Sequence, residues 1–181
     1  MWVKIFISAI LLYFIALLQN SFFVYFNIFG AVPNFIFIFF FLIVFLNQKE
    51  NYYETIFYSL LAGFFLDVFS SFRMGVSIVA LLIIGILIKK IILMLKKNER
   101  EYPFIYFIAI FTASFLAYCV SLEIYLCILS QCQILSIFSA SFLTEFFYTL
   151  FFATLVFLIC KNVLKNKKNS LQTGLLKNVF Q

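Results

Sequence analysis

The stretch LLAGFFLDVFSSFRMG, residues 60–75, sets one carboxylate, Asp67, inside an apolar run between Gly63 and Gly75. Ionisable groups are costly in hydrocarbon, so an acid in such a run marks a structured or functional site. On a helix, Ser59, Gly63, Asp67 and Ser70 follow at spacings of four, four and three and share one face. That face is small and polar, while Phe57, Phe64, Phe65 and Val68 point elsewhere. Such a helix turns Gly63 and Asp67 toward other helices. Asp67 then has two readings: a fixed carboxylate that organises a helix junction or meets a partner, or a local pair with Arg73 that closes the turn. Gly75 suits the turn or the opening of the next helix, because glycine reaches positive φ without strain.

The rest of the chain supports a membrane setting. Of the 181 residues 66% are apolar and only 11% charged, against about a quarter charged in soluble domains. A soluble fold of this size has no interior large enough for that much apolar surface, so the bilayer acts as solvent. Phenylalanine is in excess at 29 residues; we read it as compositional drift at lipid-facing positions, which accept any large apolar residue. Histidine is absent, which removes the commonest general base and metal ligand.

The apolar segments divide into six expected spans. The first covers Ile5 to Leu18 and resembles a signal peptide, but no small-x-small cleavage site follows, so it reads as uncleaved and continuing past Asn20. GAVPN, Gly30 to Asn34, then breaks the chain: Pro33 is excluded from a helix interior and Asn34 is a good N-cap. Spans two to four are Phe35–Leu46, Tyr52–Phe69 and Gly75–Leu95, the short second one alternatively re-entrant. Span five, Phe104 to Ser121, carries Ala109, Ala113, Ala117 and Ser121 every fourth residue, a stripe that lets backbones approach and is expected to pack within the molecule. A polar connection over residues 122–134 precedes span six, Leu135 to Cys160, where Ser141, Glu145, Thr149 and Ala153 align. Glu145 is expected to face inward as hydrogen-bonding glue; a proton-relay role would need more such groups.

With the N-terminus in the cytoplasm and six spans, twelve of the thirteen Lys and Arg residues lie inside and Arg73 alone outside. The expected architecture is an all-α integral membrane protein of the bacterial inner membrane. Six transmembrane helices fill residues 1–165, both termini are cytoplasmic, and residues 166–181 form a basic tail with a weak interfacial-helix pattern. Arg100 and the lysines of the central loop and tail are expected to lie on anionic lipid, with docking of a cytoplasmic partner as the alternative. Of the cysteines, Cys119, Cys127, Cys132 and Cys160, none forms a CxxC pair. Free apolar thiols are expected, although Cys127 and Cys132 share an outer loop and would pair in an oxidising compartment. No phosphate-cradling loop, nucleophile elbow or metal constellation is present in the sequence, and neither an enzyme, a cofactor nor a nucleic-acid partner is expected.

Gly30, Pro33 and Asn34 opening span two, then Gly63, Asp67 and Gly75 in order, resemble the motifs of the bacterial rod-shape-determining MreD family, with Asn34 where an acid is commoner. The likeness runs over roughly residues 20–95. It implies a six-helix protein resembling the substrate-binding S-component fold of energy-coupling-factor transporters. It further implies a non-enzymatic scaffold that binds the bitopic MreC protein, within a machinery that includes the MreB filament and the peptidoglycan polymerase. Gly30, Pro33, Asn34, Gly63, Asp67, Arg73, Gly75 and Glu145 are the structural or partner-contact candidates. The alternative is a vitamin-binding S-component, but the Ala-x-x-x-Ala docking pattern of such proteins is missing from span one and the outer loops are poor in polar ligands.

Overall fold

The computed structural model describes residues 2–28, 30–47, 52–69, 74–96, 104–128 and 140–179. It is all-helical over these: α1 Trp2–Ser21, α2 Phe35–Leu46, α3 Tyr52–Phe69, α4 Val76–Lys96, α5 Phe104–Ile128 and α6 Ala140–Val179, with a short 3-10 turn at Phe23–Phe26. Among the described residues three stretches are long and apolar enough to cross a membrane, Val76–Leu95, Phe104–Tyr125 and Phe142–Val163. Large apolar side chains such as Phe6, Ile83, Ile105, Phe147 and Phe151 stand exposed around the bundle, which suits a lipid solvent.

The short α2 is the centre of the bundle. It touches α1, α3, α4 and α6, and eight of its residues, Ile36, Phe37, Ile38, Phe40, Phe41, Leu42, Val44 and Phe45, are buried. A helix apolar on every side is a buried helix. The phenylalanine excess is therefore more than lipid-facing drift. Phe37, Phe41 and Phe45 on α2, spaced one turn apart, meet Phe107, Phe111 and Phe115 on α5, mostly edge to face, with centroids 5.0–5.8 Å apart. Phe157 of α6 stacks on Phe107 at 4.0 Å. Edge-to-face pairs add about 0.5–1.5 kcal/mol each beyond area burial.

Other boundaries differ from expectation. Residues 122–128 continue α5, since SLEIYLCI contains no Gly or Pro to end it. α6 runs on to Val179, so residues 166–179 are helical. The alanine stripe does not pack inward: Ala109, Ala113 and Ala117 are exposed and line an apolar groove with Ile84, Leu87 and Ile91 of α4. Cys119 and Cys160 are free, whereas Cys127 is disulfide-bonded and not the free thiol expected; Cys132 lies outside the described residues. One lysine near the end of α4 is buried inside the bundle. Lys89 is 0% exposed, and its Nζ donates to the Asn47 carbonyl at 2.7 Å; Asn47 in turn donates to Glu54.

Candidate functional site

The junction of α3 and α4 is built from the residues of the opening stretch. Asp67, 3% exposed near the end of α3, caps the start of α4. Its Oδ2 accepts the N–H of Gly75 at 2.7 Å and more weakly that of Ile78 at 3.4 Å, and its Oδ1 accepts the Ser77 N–H at 2.9 Å. The first N–H groups of a helix have no partner within it and carry partial positive charge, so a carboxylate there satisfies both needs. Gly75 makes the bend possible at φ +105°, a region side chains avoid. Arg73 and Ser70 lie outside the described residues.

Below the cap, α3 and α4 come closer than side chains would allow. A Cβ on Gly63 would sit 2.5 Å from the Ile78 Cα, and one on Gly85 would sit 2.5 Å from the Ser59 Oγ. The contact is reciprocal, since each helix contributes one glycine. Gly85 escaped notice in the sequence because it stands in a run of Ile and Leu with no polar neighbour.

A second arrangement lies at the same end of the bundle, over the start of α2. The turn into α2 uses Gly30 at φ +79° and a backbone exchange between Ile28 and Ala31; Pro33 is buried just before the helix. The donors at the start of α2 are then met partly by its own N-cap and partly by neighbouring helices. The Asn34 side chain accepts the Phe37 N–H at 3.0 Å, Gln19 of α1 accepts that of Ile36, and Thr149 of α6 accepts that of Asn34.

Around this start is a cavity of about 290 Å³. Its polar lining is Gln19, Asn20, Asn34, Tyr118, Glu123 and Glu145. Tyr118 joins it to the α3–α4 junction through Ser77, oxygen to oxygen at 3.3 Å. Glu145 thus faces inward at a cavity wall, while Thr149 and Ala153, one and two turns further along α6, are fully buried. This end of the bundle is accordingly richer in polar groups than the loops alone suggest. Sequence reading singled out Asn34 and Glu145 but not the cavity they share, because its lining is gathered from five helices far apart in the chain. Among the described residues no group of three His, Cys, Asp or Glu side chains is placed to hold a metal ion.

No protein-family model, characterised protein or solved structure matches this chain.

Proposed function

We propose that the protein is a non-enzymatic scaffold of the bacterial cell-elongation complex, set in the inner membrane with six spans and both ends in the cytoplasm. It binds a single-span MreC-type protein through its helices. One observation carries the reading: Gly63, Asp67 and Gly75, the residues of the MreD resemblance, act together at one junction. Gly63 admits the Ile78 backbone, Asp67 caps α4, and Gly75 makes the bend. A motif whose members stiffen one hairpin fits a protein that presents a fixed surface to a partner. The outward alanine stripe of α5 suits close approach by a partner helix, as small residues do in membranes.

Co-purification tests it. Tagged protein extracted in mild detergent should bring down the MreC-type protein. Ala113→Leu, at an exposed position that lines the groove, should reduce the yield, and depletion should round rod cells. Recovery of a transporter ATPase in place of the MreC-type protein would favour the alternative, a vitamin-binding S-component. The polar cavity is the observation that keeps that second reading in play.

A further inference from the structure

The cavity over the start of α2 contains two polar groups that the fold leaves unused. Asn34 is 7% exposed. Its Oδ1 is taken by the Phe37 N–H, while its amide nitrogen, at the cavity wall, has no hydrogen-bond partner among the described residues. Glu145 also lines the cavity and likewise makes no hydrogen bond to a described residue. Neither group is among the sealed, partnerless atoms of the interior; both residues line the cavity, where one small molecule would meet both.

The chemistry of the lining selects the class. Glu145 and Glu123 are the charged groups of the described wall, and no Lys or Arg side chain stands among them. An anion would meet like charge there; a cation would be held. Among the described residues no three His, Cys, Asp or Glu side chains converge on a metal ion, and an organic ammonium needs only one carboxylate, so the lining suits an organic cation better. Asn34 requires a hydrogen-bond acceptor on the same molecule. We infer that this cavity is a binding site for a small molecule carrying a protonated amine beside a hydroxyl or ester oxygen, the amine held by Glu145 and the oxygen by the Asn34 amide. A soluble amino alcohol and the ethanolamine headgroup of a phospholipid share this chemistry. The inference stands whether or not the scaffold reading does, since it concerns the cavity and not the partner surface.

Full-length protein in nanodiscs of phosphatidylglycerol, titrated calorimetrically with ethanolamine, supplies the first test. Native mass spectrometry of protein extracted from mixed phosphatidylethanolamine and phosphatidylglycerol supplies the second. Saturable ethanolamine binding assigns a soluble amine; selective retention of phosphatidylethanolamine without it assigns the headgroup. In either case Glu145→Gln should weaken binding roughly tenfold or more, the loss of one charge-assisted hydrogen bond. Asn34→Ser, which keeps a cap acceptor without adding charge and withdraws the amide donor from the cavity, should weaken it too and serves if Glu145→Gln does not fold. Phe147→Leu, on the outward face, should leave binding unchanged. Absence of both ethanolamine binding and lipid selectivity in the wild type overturns the inference, as does binding that neither cavity variant alters. Co-purification of the MreC-type protein by Glu145→Gln should be unaffected, which separates this result from the scaffold test.

Discussion

Asp67 closes the first turn of a helix to which it does not belong, its Oδ1 accepting the Ser77 N–H at 2.9 Å from ten residues upstream. The same side chain also holds Gly75, so one carboxylate sets both the bend and the start of α4. Asp67→Ala should cost about 1–3 kcal/mol, a lost cap with buried donors left behind. Asp67→Asn keeps an acceptor and should cost less. The fraction of protein surviving a heating series in detergent, read by gel filtration, ranks the two; equal losses would show that the acceptor is not what matters.

Gly63 and Gly85 should respond differently to the same added methyl. At Gly63 the new Cβ meets the Ile78 backbone, which cannot step aside. At Gly85 it meets the Ser59 hydroxyl, which can be removed. Gly63→Ala should therefore resist rescue, whereas Gly85→Ala should regain thermal stability when combined with Ser59→Ala. The double-mutant cycle in the same heating assay measures this coupling.

Lys89 is buried with its ammonium on the Asn47 carbonyl at 2.7 Å. Lys89→Met preserves bulk and loses the charged donor, so its destabilisation, about 1.5–3 kcal/mol, reports what the buried ammonium contributes. Lys90, its exposed neighbour, should tolerate the same change with little loss.

Cys127 is disulfide-bonded while Cys119 and Cys160 are free. Alkylation of the denatured protein without reductant should label Cys119 and Cys160 and spare Cys127. Prior reduction should expose Cys127 to the reagent, and peptide mass spectrometry reports each site.

Much of this fold was legible. Pro33, Asn34 and Gly75 punctuate the chain where helices begin, because backbone chemistry at helix starts is local and uses few residue types. The polar face of α3 was legible for a related reason: an acid and a glycine among phenylalanines have one economical orientation. What escaped depends on distance in sequence. Nothing near Gly85 indicates that Ser59 opposes it, and nothing near Lys89 indicates that Asn47, 42 residues earlier, will receive it. In an apolar chain, moreover, core and lipid face use the same residues, so Phe37 and Phe64 look alike until packing buries one and leaves the other exposed. The alanine stripe failed for that reason too: close spacing permits contact but does not name the neighbour.

The brevity of α2 has one more effect. Its 12 residues rise only about 18 Å, well short of the roughly 30 Å of hydrocarbon that its neighbours can traverse. The longer helices stand around this stub like a collar, and the polar hollow is the space the missing turns would have filled. Extending α2 at its Asn34 end would plug that hollow. Evolution can thus enlarge or erase the chamber by changing one loop, leaving the phenylalanine ladder beneath it intact.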